Sequence, residues 1–298
     1  MNVIETRGLT RTFGMKEAVH SLDLAVPAGT VCALLGPNGA GKTTTIKLLM
    51  NLIRPTRGEA RVLGVDSRGL GVTEKARIGY VSENQELPDW MSVRGFLDYC
   101  RGFYPTWDSE LENQLLTKLA LPEDRKIKHL SRGMRMKTML LAALAYRPEL
   151  LVLDEPFSGL DPAVRDDFVR GVFAAAGEGD WSVLISSHDI DEVERIADWV
   201  AIIDDGRLRL SESLESLQGR FRKVDVTLRE GATIPDGELP AEWTDIEQAG
   251  MLLRFVETDY RGDERGRGYA ERFPDAVVSL GVMSLRDIYL AVMRMPKT

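Results

Sequence analysis

The stretch GPNGAGKTT, residues 36–44, decides how the rest of the chain is read. It follows an apolar run, GTVCALLG, that reads as a buried strand, and it opens KTTTIKLLMNLI, which has helical spacing. Gly36, Gly41, Lys42 and Thr43 satisfy the spacing G-x-x-x-x-G-K-[ST]. Glycines allow backbone N–H groups to turn inward around phosphate oxygens, and a helix opening at Lys42 adds the positive end of its dipole. Lys42 would neutralise the terminal phosphates, and the Thr43 hydroxyl would hold Mg²⁺.

The second half of such a site is expected in LLVLDEP, residues 150–156. An apolar strand delivers Asp154 at its end, where a carboxylate can hold the Mg²⁺ that bridges phosphates. Glu155 could orient or deprotonate a water for in-line attack, although two acids after a strand are, taken alone, more often a helix cap or a solvated turn. His188 follows another apolar run, VLISS. Strand ends in an open α/β sheet gather at the ligand crevice, so His188 could meet the terminal phosphate and the attacking water. Its bland alternative is a cap on the helix beginning near Asp189.

The whole chain sets bounds on these readings. Its 298 residues suggest about two domains. With 44% hydrophobic and 28% charged residues it has the composition of an ordinary soluble globular protein. The start lacks a basic segment followed by an apolar stretch, and no window offers the roughly 18 apolar residues that a spanning helix needs. The chain is therefore expected in the cytosol. Cys32 and Cys100 make neither a disulfide framework nor a metal site and read as buried apolar residues. The net charge of −8 provides no broad cationic field for nucleic acid.

Along the chain, residues 1–83 read as short strands and turns around the phosphate loop. Residues 84–147 carry apolar spacings of three and four and read as a helical insert. ELLVLDEP, WSVLISSHD and WVAIIDDG are apolar strand runs separated by helix-like segments, which predicts an α/β fold with a mostly parallel sheet. The texture changes after Gly219, so we expect domains at 1–219 and 220–298. In the second, KVDVTL and MLLRFVE read as strands around the Gly/Pro-rich GATIPDGELPAEW, YRGDERGRGYAERF as a solvated loop, and SLRDIYLAVMR as a closing helix: a small α+β appendage.

These motifs together resemble the nucleotide-binding domain of an ABC transporter. GPNGAGKTT resembles its Walker A loop, LLVLDEP its Walker B strand, SGLD (Ser158 to Asp161) its D-loop, SSHD its switch histidine and LSRGM (Leu130 to Met134) its signature. The resemblance covers about the first 215 residues in the right order. It implies a P-loop ATPase core with an antiparallel β-subdomain. It also implies a head-to-tail dimer holding two ATP molecules with Mg²⁺. Gly36, Asn38, Gly39, Gly41, Lys42, Thr43 and Thr44 would bind the phosphates, and Thr43, Asp154 and Glu83 the metal. Glu155 and His188 would be catalytic. Ser131 and Gly133, at a helix start, would bind the γ-phosphate held by the partner. Phe13 would stack on adenine and Asp161 would reach across the dimer.

Two departures from the family pattern stand out. Arg132 and Met134 replace a glycine and the glutamine of L-S-G-G-Q; the serine and the final glycine remain. Met134 with the following RMK resembles the export-type branch, which works with separate membrane subunits. In GYVSENQELPDW, Glu83 stands where the family has a Mg²⁺-contacting glutamine, and Gln85 is the alternative for that role. By the same resemblance, Trp90 and Met91 would help form the groove for a cytoplasmic helix of a membrane permease; Trp90 could equally pack into the insert's own core.

The function expected is therefore ATP binding and hydrolysis that drives a separate permease, in the export direction, as a homodimer or with a related chain. The chain would sit on the cytoplasmic face of the membrane through that partner. The alternatives are a soluble ABC-type ATPase acting on ribosomes or nucleic acid, or a nucleotide-binding regulator. Against the first stand the acidic balance, the single phosphate loop and the short segment between Lys42 and Ser131.

Overall fold

The structure is a computed structural model that describes residues 1–176, 181–229, 239–262, 268–269 and 271–296. It divides into two compact units, Met1–Ser211 and Glu212–Thr298.

The first unit begins with strands β1 (Asn2–Phe13), β2 (Lys16–Leu22) and β3 (Ala25–Pro27), then enters its core on β4 (Val31–Leu35) and turns into helix α1 (Lys42–Leu49). β5 (Arg57–Val62) and β6 (Val65–Asp66) return to the first sheet. That sheet is antiparallel, with order β2-β1-β5-β6 and β3 also paired to β1. After the short helix α2 (Val72–Lys75) and strand β7 (Ile78–Ser82), the expected helical stretch holds α3 (Val93–Arg101), α4 (Ser109–Lys118) and α5 (Arg132–Leu144). The chain then alternates β8 (Leu150–Asp154), α6 (Pro162–Ala176), β9 (Ser182–Ser187), α7 (Ile190–Glu194) and β10 (Trp199–Asp204), and closes the sheet on β11 (Arg207–Ser213).

The second sheet has the order β11-β10-β4-β9-β8-β7. The five strands from β10 to β7 run parallel. Every residue of β8 and β9 is buried, as expected of strands covered on both faces. Because parallel strands share a direction, their carboxyl ends meet at one edge: Leu35 pairs with Ser187, Asp154 with Ser186 and Ser82 with Asp154. Helix α1 stops before the apolar run ends at Ile53, because Asn51 adopts left-handed backbone, φ 54°.

The second unit comprises α8 (Leu214–Arg220), β12 (Arg222–Thr227), β13 (Trp243–Ala249), β14 (Leu252–Glu257), β15 (Val277–Val282) and α9 (Leu285–Arg294). Its antiparallel sheet has the order β13-β14-β12-β15. Val224, Val226, Leu253, Phe255, Trp243, Tyr269 and Phe273 form its own core. The division falls earlier than the expected 219/220 boundary, because α8 packs with α9 and Arg220 pairs with Glu212. Residues 231–238 of the Gly/Pro-rich stretch and 263–267 of the charged loop lie outside the described residues.

Candidate nucleotide site

Gly41 stands at the entry to α1 with φ 105°, and a Cβ there would lie 2.5 Å from the Ala18 carbonyl oxygen. Only glycine fits that turn. As the residue capping α1 it brings no side chain to bond the first helical N–H groups, which leaves them for an anion. Asn38 and Gly39 are exposed on the loop, and Gly36 is buried. Thr43 and Thr44 are half-buried at the helix start.

Lys42 is only 5% exposed. Its ammonium donates to the carbonyls of Gly36 (2.7 Å) and Pro37 (3.3 Å), and lies 3.0 Å from Glu155 Oε1. The Thr43 hydroxyl donates to Asp154 Oδ1 at 3.0 Å, and the Ser186 hydroxyl donates to the same oxygen at 2.8 Å. Burial pushes the Asp154 carboxyl above the usual range, the Glu155 charge adds to the rise, and the Ser186 and Thr43 hydroxyls oppose it. Glu155 adopts φ 52°, and its N–H donates to Ser186 Oγ at 3.0 Å. His188 Nδ1 lies 2.7 Å from Glu155 Oε2, so the histidine serves the carboxylate and does not cap α7. Residues from three segments of the chain thus form one connected cluster at the carboxyl edge of the sheet.

The donors at its centre, a threonine hydroxyl and one buried carboxylate, are hard oxygen ligands. That set fits Mg²⁺, which takes one or two protein ligands and fills its octahedron with water and phosphate. Among the described residues no cluster of three His, Cys, Asp or Glu side chains offers a closed metal cage.

The remaining expected residues are placed apart from this cluster or turned to other partners. Glu83 donates its N–H to the Asp154 carbonyl at 3.1 Å, but its carboxylate is paired with Arg132. Gln85 lines a cavity of about 240 Å³ with Leu52, Tyr80 and Tyr104. Ser131 caps α5 by accepting from Met134 N–H at 3.2 Å, and Gly133 is buried in that helix. Asp161 caps α6 through Val164 N–H at 3.0 Å. Phe13 is 47% exposed, with the Arg11 guanidinium 4.4 Å from its ring centre on one face. Trp90 is 72% exposed and is not core. Sequence reasoning missed Ser186, whose signal was a hydroxyl residue closing an apolar strand two positions before His188.

Residues 19–158 match the family model described as ABC transporter. The daunorubicin/doxorubicin resistance ATP-binding protein of Streptomyces peucetius is 35% identical over 97% of this chain and 92% of that protein. A solved ATP-binding subunit of an ABC transporter superposes with a TM-score of 0.66 at 27% identity, over 73% of this chain and 92% of that one. An ATP-binding cassette solved as a dimer with ADP and phosphate shares the fold, with a TM-score of 0.62 at 21% identity over 71% of this chain and 98% of that one. The chain belongs to the ABC transporter family, as one of its ATP-binding proteins. It is the ATP-binding and ATP-hydrolysing subunit of such a transporter. No helix among the described residues is long and apolar enough to cross a membrane.

Proposed function

We propose that this chain closes with a second copy, or a related chain, around two ATP molecules and so drives a separate membrane permease in the export direction. The observation that carries this reading is the linkage of Lys42, Thr43, Asp154, Glu155 and His188 within hydrogen-bonding distance at one sheet edge. The drug-resistance name of the Streptomyces relative supports export.

The triphosphate enters over the N–H groups that open α1, and Lys42 turns from Glu155 to the β- and γ-phosphates. Thr43 and Asp154 present oxygens to Mg²⁺, which when bound neutralises charge on the phosphates. Glu155, held by His188, accepts a proton from a water whose oxygen bonds to the γ-phosphorus as the bond to the bridging oxygen breaks. Phe13 offers its second face to adenine. Ser131 and Gly133 face the partner's γ-phosphate, Asp161 contacts the partner's loop, and release of that phosphate opens the dimer. The exposed Trp90, the exposed and mutually packed Tyr99 and Phe103, and the cavity beside Gln85 are each suited to receive a permease helix, which would hold the chain at the cytoplasmic membrane face.

The test is light scattering of purified Glu155→Gln protein with ATP and Mg²⁺, followed by pull-down from gently solubilised native membranes. A shift to twice the monomer mass and recovery of a stoichiometric multi-span protein are expected. A monomer at saturating ATP, or recovery with ribosomes or nucleic acid alone, would refute the reading.

A further inference from the structure

Arg132 and Glu83 are each a departure from the family pattern, and the structure brings the two side chains together as an ion pair. Arg132 is the first residue of α5, immediately after the capping Ser131. From there its guanidinium crosses to Glu83, reaches within 3.5 Å of Ser158 Oγ, and covers Gly159. A Cβ on Gly159 would lie 2.6 Å from Arg132 Nη1, so this glycine leaves the slot in which the guanidinium lies. Glu83 in turn is fastened through its backbone to the carbonyl of Asp154, at the end of β8. One arginine thus joins the start of the signature helix, the loop after β7 and the turn after β8.

The pair contributes little to holding the fold together. The arginine side chain is half exposed and Glu83 is 28% exposed, and a pair in that setting is screened by water and adds little to stability. Its consequence is electrostatic. The edge that must admit a polyanion carries three carboxylates, Asp154, Glu155 and Glu83. Asp154 is met by two hydroxyls, Glu155 by Lys42 and His188, and Glu83 by Arg132.

We propose that Arg132 is a further γ-phosphate-binding residue, acting on the ATP held by the partner, and that Glu83 is its resting counter-ion. This rests on the dimer reading above. In that dimer Ser131 and Gly133 face the partner's γ-phosphate, and Arg132 lies between them at the N-terminus of the same helix, with its charge already outside the core. Binding exchanges one ion pair for another: the guanidinium leaves the Glu83 carboxylate for the phosphate oxygens. Glu83 therefore sets how much ATP is required for closure, a threshold located within a single subunit.

The test uses the full chain in the Glu155→Gln background, reading by light scattering the ATP concentration for half-maximal dimer, and the melting temperature without nucleotide. Glu83→Gln releases Arg132 and should lower that ATP concentration by about two- to fivefold, the weight of a half-exposed pair. Arg132→Gln should raise it. The exchange Glu83→Arg with Arg132→Glu should melt near its parent yet fail to dimerise with ATP, because a carboxylate would face the phosphate. An exchange variant that dimerises like its parent would show the pair to be purely structural. Should that variant not fold, an unchanged or lowered requirement in Arg132→Gln overturns the proposal equally. A parent that stays monomeric sinks the dimer reading itself, whereas a dimerising parent with no shift in Glu83→Gln sinks this proposal alone.

Discussion

The ammonium of Lys42 lies 3.0 Å from Glu155 Oε1, with both side chains largely shielded from water. The group best placed to bind the γ-phosphate is thus held by the group best placed to activate water against it. In the mechanism proposed above, a phosphate that enters displaces the carboxylate from the lysine and leaves Glu155 with His188, free to act as the base.

This relationship predicts opposite effects on binding and on turnover for Glu155→Gln. The amide relinquishes Lys42 without competition, so ATP affinity should rise. Hydrolysis should fall by roughly a hundredfold or more, the usual weight of a positioned base. Calorimetry and phosphate release measure the two, and a fall in affinity would mean that the ion pair does not compete with nucleotide.

Lys42→Ala should weaken ATP binding by roughly ten- to a hundredfold, the loss of a charge-assisted contact in a shielded site. It also leaves the buried carbonyl of Gly36 without its donor. Isothermal titration in the presence of Mg²⁺ tests this, and unchanged affinity would place the phosphates elsewhere.

Asp154→Asn should trade stability against function. Burial raises the folded-state pKa of Asp154, so the folded form holds that proton more tightly than the unfolded chain does. Its contribution to stability is complete in acid and is lost as pH rises through the elevated value. At about pH 7.5 the carboxylate is therefore a burden on the nucleotide-free protein. The asparagine oxygen can still accept from Thr43 and Ser186, so the variant should melt a few degrees higher, with the gain shrinking toward about pH 4. Thermal scans across pH check this, and a gain that grew in acid would contradict it.

Much of this site was legible because its chemistry is written in short spacings. Gly36, Gly41, Lys42 and Thr43 fall within one loop, and Asp154 and Glu155 close one apolar strand. Ser186 was not, because a serine acquires its role only when β9 sets it beside Asp154. Nor was the pairing of Glu83 with Arg132: each stood out as a departure from the family pattern, but the two are 49 residues apart and only the fold brings them together. In the second unit the same limit acts on strands. β12 and β14 lie inside their sheet, whereas β13 and β15 are its edges and largely exposed: β13 carries little apolar pattern, and the apolar Val278, Leu280 and Val282 of β15 do not gain the burial that marks a strand inside a sheet. The boundary was displaced because α8 is continuous in sequence with the first unit but packs in the second.

The core of that second unit is organised by a fully buried carboxylate, Glu257, which accepts from Trp243 Nε1 at 2.8 Å and from the Tyr269 hydroxyl at 3.1 Å. Trp243 stacks on Phe255 at 3.9 Å, so the polar contact fixes the aromatic stack. Glu257→Leu keeps the apolar volume but strands two buried donors, and should cost roughly 2–4 kcal/mol. Glu257→Gln retains an acceptor and should cost less. Urea unfolding followed by near-ultraviolet circular dichroism compares them. Equal losses in the two variants would mean that the carboxylate acts through its charge and not through the bonds it accepts.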